Sequence, residues 1–154
     1  MLKKAKLSLL LIIVISLIIF VFPLCFTIFL CTFNAPLRNK MLEYYSNDSN
    51  YEKLDGIIVT MDNTVEPLLG IDILTENHEF PLNTDGYQNF IIIGDGDWMD
   101  DIKVGDEISF VSAPMYFYNG HQLPIVSLKK DGQMYLSFER GKEEYLQWIQ
   151  ETFD

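Results

Sequence analysis

The part of the sequence that follows residue 33 contains no cysteine, because Cys25 and Cys31 are the only two cysteines of the chain. That part therefore cannot form a disulfide bond, and cysteine usage says nothing about its redox compartment. Basic residues are also scarce, since residues 34–154 carry 22 acidic and 8 basic residues, a formal charge of −14. Such a surface repels phosphate backbones, so the composition argues against a general nucleic-acid-binding protein.

The short motifs of the common enzyme classes are absent as well. The sequence has no G-x-S-x-G nucleophile elbow, no H-E-x-x-H zinc motif and no phosphate-binding P-loop. His78 and His121 are its only histidines, and no cysteine accompanies them, so a zinc site is not predicted. We therefore expect a protein that is not an enzyme, with an envelope hydrolase of an unrecognised kind as an alternative.

One long apolar run dominates the N-terminal part of the chain. No residue between Leu7 and Phe33 is charged, and a helix of that length spans about 40 Å, more than the roughly 30 Å of bilayer hydrocarbon. A cleaved signal peptide is the alternative, but its apolar core extends over only about 7–15 residues. The sequence therefore predicts an uncleaved transmembrane helix over residues 7–33, after a cytoplasmic leader at residues 1–6.

The charges that flank the run predict its orientation. Lys3, Lys4 and Lys6 precede it, whereas Arg38 and Lys40 follow it, and the more basic flank favours the cytoplasm. The remainder of the chain should then lie outside the cell membrane. Its predicted partners are the lipid bilayer and another envelope or membrane protein, and nucleic acid is not among them.

Residues 34–50 are predicted to form a juxtamembrane collar and linker. Leu37, Met41 and Tyr44 recur at helical spacing, which gives one apolar stripe on a short helix. Aromatic and basic side chains are enriched where a membrane meets water. A polar stretch then leads to a domain at residues 51–154. The predicted interface residues are Arg38, Lys40, Tyr44 and Tyr45.

After residue 50 the apolar pattern approaches a period of two, in runs too short for helices. A short helical turn is predicted at Asp97–Ile102, and an amphipathic helix at Lys142–Phe153, beginning just after Gly141. The predicted strands are Leu54–Met61, Leu68–Leu74, Phe90–Ile93, Glu107–Ala113, Met115–Tyr118 paired with His121–Leu128, and Met134–Glu139.

This order of elements resembles an OB-type barrel at the level of the fold, over residues 53–139, and no family signature accompanies the resemblance. An SH3-like barrel, or a small open sheet with one helix, uses the same segments. The predicted fold is therefore a single N-terminal transmembrane helix followed by a small mostly-β domain. That domain is an OB-like or SH3-like barrel of five or six strands with one C-terminal α-helix.

Asn119-Gly120 is the strongest turn signal, because a type I′ turn needs positive φ at both of its central residues. A two-residue turn there places residues 116–118 opposite residues 121–123, and both faces of the hairpin are then apolar or aromatic. One face can enter the core, while the other needs a cover or a partner. Ordinary packing is the alternative to partner binding. The predicted partner-binding residues are Tyr116, Phe117, Tyr118 and His121.

The densest acidic cluster consists of Asp95, Asp97, Asp100 and Asp101, and carboxylates at this density can bind a hard cation such as calcium. The spacing matches an EF-hand poorly, because Met99 stands where the fifth ligand position is needed. No cofactor is therefore predicted. A calcium-responsive module at this loop is kept as an alternative to a binding or accessory domain of an envelope assembly.

Overall fold

The structure is a computed structural model that describes residues 15–16, 19–25, 34–65, 68–75, 87–94, 97–118, 120 and 122–153, and only the backbone of residues 63–65 and 97. Residues 15–16, 19–25 and 34–46 are helical, and the segment 34–46 is α1. The strands of the described ranges are β1 (Glu52–Val65), β2 (Leu68–Thr75), β3 (Gln88–Ile93), β4 (Glu107–Ser112), β5 (Leu123–Lys130) and β6 (Gln133–Leu136). Short 3-10 turns occupy Asp48–Asn50 and Asp97–Asp101, and the C-terminal helix α2 is Phe138–Thr152.

Five of these strands close into a barrel. β1 pairs antiparallel with β2 and with β4, β2 pairs with β3, and β4 pairs with β5. Parallel pairing of Phe90 with Leu123 and of Ile91 with Pro124 joins β3 to β5 and completes the circuit β1-β2-β3-β5-β4. β6 then extends the sheet beyond β5. The predicted small mostly-β domain, with a barrel and one C-terminal helix, is confirmed.

The barrel is filled by apolar side chains that alternate with outward residues along each strand, as the period of two predicts. The rings of Phe90 and Phe110 meet edge to face inside it, with centroids 5.0 Å apart. β1 and β2 approach closely at Gly56, where a Cβ atom would lie 2.5 Å from Ile73 Cγ2. The fully buried members of this core include Ile58, Ile71, Ile73, Phe90, Ile92, Phe110, Leu123 and Leu128.

A second apolar cluster lies on the outside of the barrel, between β3, β5 and the two helices. β5 is buried at six successive positions, Leu123–Leu128. Continuous burial of this kind is typical of a strand that is covered on both faces. The helices therefore form a layer over one side of the barrel. The buried members of the cluster are Met41, Tyr45, Ile91, Ile93, Ala113, Val126, Tyr145 and Ile149.

The predicted start of α2 is wrong, because the helix begins at Phe138 and contains Gly141. Ser137 caps it, with its side-chain oxygen accepting a hydrogen bond from Arg140 N at 3.4 Å. Gly141 instead allows close packing, since a Cβ atom there would lie 2.3 Å from the carbonyl oxygen of Val126. The glycine therefore marks the place where α2 touches β5, and it does not break the helix.

The predicted hairpin pairing across Asn119-Gly120 is also wrong, although Asn119 and His121 themselves lie outside the described residues. Residues 113–118 form no strand, and Leu123, the expected partner of Tyr116, pairs instead with Phe90. Because the start of β5 pairs with β3 to close the barrel, it is not paired with residues 116–118 as a local hairpin requires. Tertiary pairing has therefore replaced the predicted local pairing, as often happens for β structure.

The turn that joins β5 to β6 agrees with the sequence. Lys130 pairs with Gln133, so Asp131 and Gly132 form a two-residue connection. Their φ angles are +52° and +80°. Positive φ at both central residues is what a type I′ hairpin turn requires, and it matches the right-handed twist of the strands. The Asp131-Gly132 sequence therefore fits the turn that the structure forms at this point.

The folded domain begins at α1 rather than at residue 51. Met41 and Tyr45 are 0% exposed and belong to the cluster beneath α2. The helical spacing of the predicted collar is therefore present, but its apolar stripe faces the barrel and α2. A stripe of this kind is satisfied equally well by protein or by lipid, and the sequence alone did not distinguish the two.

The predicted linker after α1 is ordered by hydrogen bonds. The last carbonyl groups of a helix have no partner within the helix. Here three of them accept hydrogen bonds from side chains that follow α1 or lie on α2. The segment 47–51 is thereby joined firmly to α1 and α2. The three bonds are Asn50 Nδ2 to Tyr44 O at 2.8 Å, Tyr51 Oη to Tyr45 O at 2.9 Å and Lys142 Nζ to Ser46 O at 2.8 Å.

Candidate functional site

Two buried tyrosines connect α1, α2 and the segment that follows β4. Tyr45 Oη donates a hydrogen bond to Met115 O at 3.1 Å, and the hydroxyl groups of Tyr45 and Tyr145 are hydrogen-bonded to each other. A hydroxyl group has one proton, and Tyr45 gives its proton to Met115, so Tyr145 is the donor within the pair. The two rings meet edge to face with centroids 4.9 Å apart. Sequence reasoning missed this network, since its members are far apart along the chain.

Burial raises the pKa of these tyrosines. Loss of solvent is the main cause for Tyr45, Tyr51 and Tyr145, and each pKa lies well above the ordinary value of 10.0. The hydrogen bond from Tyr145 partly offsets the rise in the pKa of Tyr45, whereas neighbouring tyrosines raise the pKa of Tyr145 further and the carboxylate of Asp48 raises that of Tyr51. The hydroxyl groups of this layer are therefore held protonated for as long as the domain is folded.

We expect the domain to lose stability as the pH rises above 10. Below pH 10, the ordinary pKa of tyrosine, these hydroxyl groups are protonated in both the folded and the unfolded state. Above it the unfolded state releases protons that the folded state retains, so unfolding becomes more favourable. Tyrosinate absorbance should rise together with loss of the circular dichroism signal, and Tyr51→Phe should reduce that joint step. A complete tyrosine titration that precedes unfolding would contradict the prediction.

An open groove of about 1340 Å³ lies on the outer face of β1, β4 and β5, beside the end of β2. Strand register places Leu74, Ile57 and Glu107 in one row across the sheet. Ile57 is 41% exposed and Leu74 is 49% exposed, which makes them an uncovered apolar pair. The next row consists of Asp55, Ser109 and Lys129. The groove thus combines an apolar pair with charged side chains of both signs.

The second row of the groove lacks the features of a nucleophilic centre. Ser109 Oγ donates a hydrogen bond to Asp55 Oδ1, and Lys129 is the register neighbour of Ser109 on β5. A lysine becomes a base for a serine nucleophile when its ammonium group is desolvated or lies beside another cation. Lys129 is exposed. The row therefore offers charge and hydrogen-bonding groups for binding.

The outer face of β1, β2 and β3 carries a polar ladder. Thr60 Oγ1 donates to Asp72 Oδ2 at 2.7 Å, and Asn89 Nδ2 donates to Asp72 Oδ1 at 2.7 Å. Barrels that bind single-stranded nucleic acid present aromatic stacking surfaces and basic side chains on such a face. A carboxylate at the centre of this ladder repels phosphate, so the ladder opposes nucleic-acid binding as the overall charge does.

The predicted partner-binding aromatics are largely covered by protein. Tyr116 is half-buried and packs against the barrel core. Phe117 is half-buried and lies 5.6 Å, centroid to centroid, from each of the rings of Tyr44 and Tyr45. Helix α1 therefore packs on Phe117, on a side of residues 116–118 for which the sequence predicts no covering element.

Tyr118 differs from these two aromatics because 38% of it is exposed. Its ring lies 6.0 Å from that of Phe153, which follows α2. His121, the fourth predicted member of the set, lies outside the described residues. The structure therefore brings Tyr118 to the end of α2, and partner binding by the four residues stays a prediction.

The predicted membrane-interface residues divide into two groups. Tyr45 is buried inside the domain, so its assignment to the headgroup region is wrong, because a side chain without exposed surface cannot contact lipid. Tyr44 packs edge to face on Tyr45 at 5.1 Å. Arg38 is half-buried and Lys40 is exposed, both near the start of α1. These two basic residues stay predictions for the interface.

The acidic cluster is only partly described. Asp95 and the side chain of Asp97 lie outside the described residues, whereas Asp100 and Asp101 are exposed on the second 3-10 turn. The described side chains include no group of three or more His, Cys, Asp or Glu that could hold a metal ion. The predicted calcium site has no further support from this part of the chain.

Lys130 links this acidic segment to β5. Its ammonium group donates to Asp101 O at 2.8 Å and forms an ion pair with Asp106 at 2.6 Å. The hydrogen bond from Lys130 lowers the pKa of Asp106. The carboxylate of Asp106 also accepts a hydrogen bond from Lys103 N at 2.7 Å. These bonds order the connection that leads into β4.

Most of the predicted transmembrane helix lies outside the residues that the structure describes. The residues concerned are 7–14, 17–18 and 26–33. Within the described part of the chain, no helix combines the length and the apolar character needed to cross a membrane.

Comparison with protein-family models, with curated proteins and with solved structures finds no match to this chain. The function is therefore argued from the residues themselves.

Proposed function

We propose that the chain is a single-pass membrane protein that displays its barrel outside the membrane as a binding or accessory module. The observation that carries the proposal is the surface of helical residues 19–25, which lie within the uncharged run of residues 7–33. Apolar surface in water costs about 25 cal/mol per Å², whereas lipid accepts it. The exposed fractions are 57% for Ile19, 73% for Phe20, 45% for Val21, 70% for Phe22 and 61% for Leu24.

The strand circuit supports the OB-type assignment over the SH3-like one. The order β1-β2-β3-β5-β4, with β3 and β5 parallel, is the order expected for an OB-type barrel. The usual nucleic-acid ligand is opposed by the charge of −14 and by the Asp72 ladder. We therefore assign the module to a protein partner within the envelope, and the flanking lysines support a cytoplasmic N-terminus.

Alkaline carbonate extraction of membranes should leave the full-length chain in the pellet. The double variant Phe20→Lys, Phe22→Lys should move to the supernatant, because a lysine at the centre of a span costs about 2.5–3.5 kcal/mol. Met134→Lys is the matched control, since Met134 is 50% exposed on β6 and lies far from the run in sequence, and it should stay in the pellet.

Two results would overturn the proposal. Release of the unmodified chain by carbonate would show that the chain is not anchored in the membrane. Protease added to intact cells should digest the barrel domain, and digestion only after lysis would place the domain on the cytoplasmic side. The two measurements separate attachment to the membrane from orientation across it.

A further inference from the structure

We propose that Tyr118, Trp148 and Phe153 form an aromatic rim that rests on the lipid headgroups beside the start of α1. This inference rests on the membrane anchor proposed above and adds a second contact with the bilayer, made by the folded domain itself. It places Tyr118 at the membrane surface, together with Trp148 and Phe153 from the C-terminal end of α2.

The direction of the two helices places the rim. Tyr51, just after α1, meets Phe138 with ring centroids 5.2 Å apart, and Tyr45 meets Tyr145 at 4.9 Å. Tyr45 precedes Tyr51 in the sequence, whereas its partner Tyr145 follows Phe138. The two helices therefore run in opposite directions. The start of α1 therefore lies near the end of α2. In agreement, Leu37 packs against the same cluster as the end of α2 does.

The three aromatics lie together at that end. The rings of Tyr118 and Phe153 are 6.0 Å apart, and those of Trp148 and Phe153 are 6.2 Å apart. Trp148 and Phe153 are half-buried, while Tyr118 is 38% exposed, so each retains surface for a further contact. Tryptophan and tyrosine are enriched where a bilayer meets water, because an apolar ring carries a polar group that reaches the headgroups.

The position of α1 identifies lipid as the occupant of this surface. The predicted span ends at residue 33 and α1 begins at residue 34. One helical turn rises only about 5.4 Å, and the headgroup region on each side of the hydrocarbon is of order 5–8 Å thick. The first turn of α1, and the end of α2 beside it, therefore lie at headgroup level. Lys40 is exposed on α1 and suits lipid phosphates.

The same end of the domain carries the exposed carboxylate of Glu151. A carboxylate gains nothing from anionic lipid, so the contact should depend on the aromatic rings and should form on zwitterionic membranes. Phosphatidylcholine vesicles are therefore the appropriate surface for a test.

The chain has two tryptophans, which makes quenching by lipid a direct test. Trp98→Phe leaves Trp148 as the reporter, whereas Trp148→Phe leaves Trp98, which packs against the barrel core from the second 3-10 turn, 6.3 Å from the ring of Tyr135. Both full-length variants are reconstituted into phosphatidylcholine vesicles that contain lipid with a spin label near the headgroup. We expect Trp148 fluorescence to be quenched at least about twofold more than Trp98 fluorescence, as an interfacial tryptophan should be.

Flotation of the same vesicles reports on the anchor separately. Protein that floats while Trp148 and Trp98 are quenched equally overturns the rim and leaves the anchor standing. Protein that does not float overturns both. If Trp98→Phe fails to fold, Phe153→Trp in a chain that retains Trp98 supplies a second comparison, and the added tryptophan should increase the quenched fraction.

Discussion

Replacing Tyr45 with alanine is expected to lower the free energy of unfolding by about 3–5 kcal/mol, the range typical for removal of a large buried aromatic side chain. Tyr45 is 0% exposed and contacts α2 and the segment after β4. Its loss leaves a cavity between the helices and removes the hydroxyl group that bonds both Tyr145 and Met115 O. Urea unfolding of the full chain in detergent, followed by tryptophan fluorescence, measures the change.

Two further variants separate packing from hydrogen bonding in this prediction. Tyr45→Phe keeps the ring and removes the hydroxyl group, so it should cost about 1–3 kcal/mol, the penalty for buried polar groups left without a partner. Glu43→Ala changes an exposed residue of the same helix and should stay within about 0.5 kcal/mol of the unmodified chain. If the free energy of unfolding of Tyr45→Ala were no lower than that of Glu43→Ala, α1 would not be docked on the barrel.

Replacing Gly141 with alanine is expected to destabilise the domain by about 2–3 kcal/mol, although alanine is favoured over glycine in a helix by about 1 kcal/mol. The added Cβ atom would lie 2.3 Å from Val126 O and 2.7 Å from Val126 C, and the backbone of β5 cannot move away as a flexible side chain would. Helix α2 must therefore shift outward from the barrel, and it loses contact with β5. The midpoint of thermal unfolding measures the effect.

Gln150→Ala is the matched control for Gly141→Ala. Gln150 is an exposed residue of α2, so alanine there changes helix propensity without changing the contact with the barrel. We expect its unfolding midpoint to equal or slightly exceed that of the unmodified chain. If Gly141→Ala behaved in the same way, α2 would not approach β5 as closely as the structure shows.

The strands were predictable because their apolar pattern reflects the inside of a small barrel. β3 contains Phe90 and three consecutive isoleucines, and both of its faces are buried, one by the barrel core and one by the helices. Such a run is recognisable from composition alone. The order of pairing was less accessible, because the contact of β3 with β5 joins residues that are far apart in the sequence.

The errors share one physical origin. The spacing of Met41 and Tyr45 correctly predicted a helix with one apolar face, but a spacing does not specify whether lipid or protein covers that face. Glycine is common at helix boundaries, so the sequence predicts a boundary at Gly141, whereas the role of this residue depends on the position of Val126. Both features depend on tertiary contacts, which a local pattern does not contain.

The candidate site was accessible from the sequence only in part. The sequence predicts the aromatic segment around Tyr118 but not its cover by α1, because the same sequence predicts that α1 lies at the membrane surface. The groove beside Ile57 and Leu74 was missed altogether. These two residues are ordinary members of predicted strands, and only the register of β1 with β2 places them side by side on the outer face.

The packing of α1 against α2 also governs when the domain can finish folding during its synthesis. Met41 is made before any strand, and the cluster that buries it includes Ile149, which is made after all six strands. Domains otherwise tend to fold from the N-terminus as the chain emerges at about 5–20 residues per second. This domain must instead wait for α2, so α1 and the six strands are made before the contacts that bury Met41 can be completed.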